Sequence, residues 1–285
     1  MPLQDFLRNR PAVLMRGPIA IILIEDGAVV PETLRHHVRL GFRHVLALSA
    51  QPMEIPGDLT AHVTNVAWHS RQPGACQDGV NAIIRAVPAG TWLYVCFNAE
   101  FLFFPFSETR SVGELLAFHA EERRDAMLCY AMDLYAPDLT IAPDGVSLSD
   151  AMFDCTGYFA LGRKGDDGIP LERELDFHGG LRWRFEEHVP AARRRINRIA
   201  LFRAARGLRM DADHRFSVQE YNTHSCPWHH NLTAAIASFR AAKALATNPG
   251  SRDAISSFRW ANSHRFEWRS QQLMDLGLME PGQWF

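Results

Sequence analysis

Metal-ligand side chains gather in YNTHSCPWHHNLT (221–233), where His224, Cys226, His229 and His230 fall within seven positions. Imidazole and thiolate suit zinc or another borderline metal. A structural zinc module would also need a second Cys/His pair at a defined distance, and the chain has none, so an ordinary loop leading into a helix cap is the competing reading. Arginines crowd AARRRINRIALFRAARGLRM (191–210), at Arg193, Arg194, Arg195, Arg198, Arg203, Arg206 and Arg209. They could bind a diphosphate, an anionic glycan or lipid headgroups, or line a solvated face with Ile196, Ile199, Leu201 and Phe202 packed inward. Asp133, in AMDLY, is a carboxylate near the end of an expected strand, where it could act as a general base or cap the loop before Pro137. Trp260, Phe266, Trp268, Trp284 and Phe285 mark the tail; docking of a terminal helix is preferred over sugar stacking.

These residues must be positioned by an α/β pattern. IAIILIED (19–26) reads as a strand buried on both faces, followed by a short helix from Pro31 to Gly41 and a strand at 44–49. HVTNVAW (62–68) alternates as a third strand, and Gln77–Val87 has helical spacing. TWLYVCF (91–97) is a β-prone run placed at the centre of the sheet. A helix over Ser111–Arg124 and a strand over Asp125–Tyr135 follow. Residues 136–190 read as loop-rich, with a turn at RKGDDGIP (163–170) and an irregular or hairpin region at 178–188. Asn231 is the expected N-cap of a helix over Leu232–Ala246, and a second helix is expected over Arg252–Trp260.

The window WLYVCFNAEFLFFPFSETRSVGELLAFHAEERRDAMLCYAMDLY (92–135) resembles a subset of family 2 glycosyltransferases with the GT-A fold. In these a strand of the type W-x-L-V-x-D-x-D-E-F-L-x-x-P precedes Thr-Arg and a helix, then a strand ending M-x-x-D-M-Y. The matching residues are Trp92, Glu100, Phe101, Leu102, Pro105, Thr109, Arg110, Met132, Asp133 and Tyr135. Glu32, Leu34, His37 and Gly41 are similar to the family's E-W-L-x-H-H-x-x-x-G segment, and Gln77 and Asn81 to its Q-x-x-x-N segment. The resemblance spans roughly residues 19–135 and implies an open mixed sheet flanked by helices, with a C-terminal helical elaboration.

The resemblance implies transfer of a sugar from a nucleotide-sugar to an acceptor hydroxyl, with a divalent metal, manganese or magnesium, neutralising the leaving diphosphate. The positions of the usual metal-binding carboxylates hold Phe97 and Ala99, leaving Asn98 and Glu100 as the polar groups of FNAE. Glu25–Asp26 stand where the family has Asn-Glu, and Ser49 replaces an acidic residue. By this resemblance Glu100, with His224 or His229, is expected at the metal; Glu25, Asp26, Asn98 and Arg110 at the nucleotide and diphosphate; and Asp133 and Glu100 in catalysis. One alternative is a catalytically degenerate homologue acting as a glycan- or protein-binding subunit; another reads Glu100 as a carboxylate that merely ties down a loop. A zinc hydrolase built around His224–His230 ranks below both transferase and binding subunit.

Composition bounds these readings. Of 285 residues, 47% are hydrophobic and 22% charged, enough apolar material for a folded core. The 30 Lys+Arg and 32 Asp+Glu give a net charge of −2, so no nucleic-acid partner is expected. Five cysteines without a C-x-x-C pair fit a reducing compartment, and the N-terminal segment lacks a signal-like apolar run, so a cytoplasmic location is expected. Ile19–Ile24 and Phe101–Phe106 fall short of the ~20 residues of a spanning helix, leaving at most peripheral membrane contact. The expected division is a nucleotide-sugar-binding core over 1–140 and an acceptor-side, C-terminal region over 141–285 packed on the same domain.

Overall fold

Six consecutive apolar residues leave a strand no polar face to turn to water, so Ile19–Ile24 must be covered on both sides. In the computed structural model, which describes residues 1–285 apart from 10, 166, 224–231 and 285, this segment is β1 (Ile19–Ile24), buried from Ile19 to Leu23. In chain order, α1 (Leu3–Arg8) precedes β1; α2 (Val30–Arg39), β2 (His44–Ser49), β3 (Val63–Ala67), α3 (Ala75–Ala86), β4 (Trp92–Phe97) and β5 (Glu100–Phe103) follow. Next come α4 (Val112–Glu121), β6 (Ala126–Tyr135), β7 (Met152–Asp154), β8 (Phe159–Lys164), β9 (Pro170–His178), α5 (Gly180–Arg184) and β10 (Asn197–Arg203). The last elements are β11 (Ala234–Ser238), α6 (Arg240–Thr247), β12 (Ser263–Arg265) and α7 (Ser270–Asp275). The chain is α/β, with a mixed sheet flanked by helices.

The chain divides into two compact units, each woven from separate segments: Met1–Phe101, Thr109–Leu128 and Arg198–Asn222 form the first, and Leu102–Glu108, Cys129–Asn197 and Thr223–Phe285 the second. In the first, β1 lies between β2 and β4, all parallel, with β3 parallel outside β2 and β10 antiparallel on the far side of β4. As expected, β4 has neighbours on both edges. Pro31 sits in the first turn of α2 and Gly41, at φ +93°, just beyond its end, the preferred place of each residue. Ser111 and Glu114 form a reciprocal capping box that starts α4. A core of Ile19, Ile21, Leu23, Leu46, Leu48, Leu93 and Val95 from the strands meets Val80, Ile83 and Ile84 from α3.

In the second unit the Cys129–Tyr135 part of β6 pairs in parallel with β11 and antiparallel with β7, which in turn carries β12. The expected turn at 163–170 joins β8 to β9 in a separate hairpin. The 178–188 stretch is no hairpin; it forms the short helix α5 and a 3-10 turn at Glu186–His188.

Two expected helices are corrected. In place of a helix over Leu232–Ala246, residues Ala234–Ser238 form a fully buried strand, and the helix begins only at Arg240 and runs to Thr247; Asn231 lies outside the described residues. Ala favours helix in isolation, but Ala234, Ala235 and Ala237 are small enough to fit between layers beside β6, and pairing along Cys129–Asp133 overrides the local preference. Arg252–Trp260 forms a turn, a bend and irregular chain. There Ser257 Oγ accepts the Arg259 N–H at 3.0 Å, a local bond that competes with the helix ladder. The tail is docked as expected by α7 and by Phe266, which packs edge-on to Phe103, Phe153 and Trp268. Among the described residues no helix is long and apolar enough to cross a membrane.

Asn81 on α3 closes a reciprocal pair with the Met210 backbone, donating from Nδ2 to the carbonyl at 2.9 Å and accepting the N–H at 2.8 Å. Asn81→Ala strands both backbone groups and should cost roughly 1–3 kcal/mol, read as a lower denaturation midpoint at unchanged slope. An unchanged midpoint would show that Met210 is satisfied without it.

Candidate functional site

In the first unit the chain steps outward from β1 to β2 to β3, then returns to place β4 on the opposite edge of β1. Strand order therefore reverses between β1 and β4, and ligands of open α/β sheets bind in the crevice beyond the carboxyl ends at such a point. Glu25 and Asp26 follow β1, and Asn98 follows β4. Asn98 is fully buried and its amide is spent on the β1 loop: Oδ1 accepts the Glu25 N–H at 2.9 Å, while Nδ2 donates to Asp26 Oδ1 at 2.7 Å and to the Ala28 carbonyl at 3.1 Å. Glu25 and Asp26 are half-buried at the sheet edge. Three of the four residues expected at the nucleotide are thus brought together.

The two loops that meet here carry strain. Val29 has φ +43° and Ala99 φ +61°, a conformation that side chains with a Cβ enter at a cost of order 1–3 kcal/mol. Thr33, buried in the first turn of α2, ties both: its hydroxyl donates to the Val29 carbonyl at 2.8 Å and accepts the Ala99 N–H at 3.0 Å. Thr33 was not singled out from sequence, where a threonine in PETLRHH looks like any helix residue.

Glu100 opens β5 with its side chain wholly buried. Oε2 accepts the Phe97 N–H at 2.9 Å, and the Arg198 guanidinium binds both oxygens, Nη1 to Oε1 at 3.3 Å and Nη2 to Oε2. Burial works against the charge on Arg198, but the Glu100 carboxylate outweighs it and holds the guanidinium above its ordinary pKa. Removing either partner would leave a buried charge, a loss of about 3–5 kcal/mol. Around the pair, burial lowers His37 to about 4, against the opposing pull of the Thr33 carbonyl and Glu100. It also raises the Cys96 thiol well above its usual range, so this cysteine is a neutral, inert thiol.

These residues do not fit a divalent metal. The Phe97 and Ala99 side chains offer no ligand atom, both Glu100 oxygens are engaged, and among the described residues no group of three His, Cys, Asp or Glu side chains could hold an ion. His224 and His229 lie outside the described residues. Arg110 immediately precedes the Ser111 cap of α4, and its charge helps to hold the Glu114 carboxyl below its ordinary range, behind the Ser111 hydrogen bonds.

The second unit holds its own buried polar cluster. Asp133, 1% exposed on β6, lies opposite Ser238 of β11. Gly180 at φ +62° passes so close that a Cβ there would stand 3.0 Å from Asp133 Oδ2, and one on Gly179 would stand 2.4 Å from the Tyr158 ring. The glycine pair permits this approach. The Arg182 N–H donates to Oδ2 at 3.3 Å, and its Nε stands 3.4 Å from Oδ1, which accepts no hydrogen bond. Burial pushes the Asp133 pKa up to about 6, with Arg182 opposing. The Tyr158 hydroxyl, likewise buried, has no partner, and its pKa is raised first by burial and then by Asp154 and Asp133.

Asp154 closes the cluster. Its Oδ1 accepts from the Tyr135 hydroxyl at 2.6 Å and Trp260 Nε1 at 2.8 Å, and its Oδ2 from Arg184 Nε at 2.8 Å. Sequence reasoning missed Asp154, Tyr158 and the Gly179–Gly180 pair; HGG before an arginine-rich turn was the available signal. Arg198 was named only as one of many arginines, although its place inside the apolar run INRIALF pointed to a buried partner. No protein-family model matches the chain, and no curated protein matches it significantly.

Asp133 gives a pH signature. Its folded pKa of about 6 lies above the unfolded carboxyl value of 3.8, so the folded state binds the proton more tightly. That stabilisation is full below pH 4 and is lost as pH rises through 6, by up to about 3 kcal/mol. His37 works in the opposite sense over pH 4–6.5, because its folded pKa is depressed. Subtracting the stability of wild type from that of Asp133→Asn removes the His37 contribution, and the difference should climb in favour of Asn from pH 4 to 7. A flat difference in denaturation free energy across that range would place the Asp133 pKa near its ordinary value.

Proposed function

We propose that the chain is a glycosyltransferase-like protein of GT-A type that accepts a nucleotide-sugar and passes the sugar to an acceptor hydroxyl. The observation that carries this reading is the convergence of Glu25, Asp26 and Asn98 at the strand-order reversal between β1 and β4. A nucleoside presents hydroxyl and N–H donors, and carboxylates at a sheet edge are acceptors for both. Asn98 is a positioning residue, since its amide acts through the loop that carries Glu25 and Asp26.

In the transfer, the bond from the anomeric carbon to the diphosphate oxygen breaks, the diphosphate leaves with the electron pair, and the acceptor oxygen bonds to that carbon. The hydroxyl proton passes to a carboxylate, which we assign to Asp133. Two properties support the assignment: Oδ1 carries no hydrogen bond, and a pKa of about 6 makes it a stronger base near neutrality than an ordinary aspartate. A second reading, a glycan- or protein-binding subunit without transfer, is favoured by the full engagement of Glu100 with Arg198.

Calorimetric titration with UDP and GDP, each with and without manganese, separates the two. The transferase reading expects saturable binding of one nucleotide, weakened about tenfold, or 1.4 kcal/mol, by Asn98→Ala. No heat in any of the four titrations of folded protein would sink it and leave the binding subunit. For the acceptor step, Asp133→Asn should keep nucleotide affinity and lose about 10²-fold or more in turnover, whereas undiminished turnover would remove Asp133 from the mechanism.

A further inference from the structure

The resemblance that places a metal at the end of β4 also states what the metal would need, and the chain supplies something else. Divalent manganese or magnesium gathers about six oxygens and keeps several waters of its own. Two of the positions that would donate those oxygens are an aromatic ring and a methyl group, Phe97 and Ala99. The carboxylate left in FNAE, Glu100, is 0% exposed, out of contact with bulk solvent. Its oxygens already accept three hydrogen bonds, one from the Phe97 N–H and two from the Arg198 guanidinium, in the forked geometry that Arg forms with a carboxylate.

The changes at this strand end support one another. The Arg198 guanidinium carbon lies 5.6 Å from the centroid of the Phe97 ring, within range of cation–π attraction. The aromatic residue that cannot ligate a cation therefore helps to seat one that is covalently part of the chain. β10 delivers Arg198 to this point by pairing antiparallel with β4. His37 does not compete for Glu100: it is buried, its Nδ1 lies 2.8 Å from the Thr33 carbonyl and its Nε2 3.7 Å from Cys96 Sγ.

We infer that Arg198 is the resident cation of this strand end and that Glu100 binds no divalent metal. The loop after β4 is then assembled without any ion, and whatever a nucleotide's phosphates meet, they do not meet a metal held by Glu100. Arg198 is a positioning residue: it acts through Glu100, which holds the Phe97 N–H and the start of β5.

The test is manganese uptake at neutral pH, read from the electron paramagnetic resonance signal of the free ion, in wild type and in Glu100→Gln. The two should take up the same amount, and manganese should shift the Tm of both alike relative to excess chelator. Loss of one equivalent of uptake in Glu100→Gln, or loss of a manganese-dependent rise in Tm that wild type shows, would overturn the inference. Should Glu100→Gln alone fail to fold, Glu100→Gln/Arg198→Met removes both charges at similar volume and takes its place in the comparison. The readout is metal and stability, so its failure is separate from a failure of the transferase reading.

Discussion

A carboxylate sealed from water has to be met by a positive charge, and the Glu100–Arg198 pair is the contact on which the first unit turns. It joins β10 to the segment between β4 and β5, and through the Phe97 N–H it sets where β4 ends. With that end fixed, Ala99 is held in a left-handed turn against Thr33, and Thr33 in turn holds Val29. The fully buried Asn98 completes the arrangement by ordering the loop with Glu25 and Asp26. One ion pair, one hydroxyl and one amide thus hold two strained loops at the point where strand order reverses. Strain of this kind persists only where its surroundings over-determine it.

The second unit solves a related problem with different means. Asp154 is fully satisfied by a tyrosine, a tryptophan and an arginine, whereas Asp133 has one oxygen without a hydrogen bond and an arginine placed at the edge of contact. Two carboxylates on adjacent strands therefore differ in what they can do. Asp154 is a structural acceptor that binds β6, β7 and the segment around Trp260 and Ser263 together. Asp133 holds its proton more tightly than an ordinary aspartate, because burial costs its carboxylate more than Arg182 returns. The Gly179–Gly180 pair makes that difference possible, since any larger residue would drive the backbone away from Asp133 and Tyr158.

Much of the first unit was legible in order and type. The uninterrupted apolar run of β1, the Pro31 and Gly41 punctuation of α2 and the helical stretch from Ser111 are local signals, and each element formed within a few residues of its expected bounds. The resemblance named Glu25, Asp26 and Asn98 together, and the parallel pairing of β1 with β4 gives the physical reason that they meet: both loops leave the same end of adjacent strands. What stayed hidden was non-local. Nothing within INRIALF names Glu100, 98 residues away, and nothing in TAAIAS says that a partner strand will claim it from a helix.

Taken alone, the sequence determined the α/β class, the order of the elements from β1 to β4, and the fact that no paired carboxylates stand at the end of β4, because these rest on local periodicity and residue identity. Tertiary structure decided the rest: that Arg198 neutralises Glu100, that Ala234–Ser238 is a strand, and that Asp133 is buried with a raised pKa. The reason is the same in each case. Charge compensation, strand pairing and desolvation are properties of what surrounds a residue, and distant parts of the chain supply those surroundings.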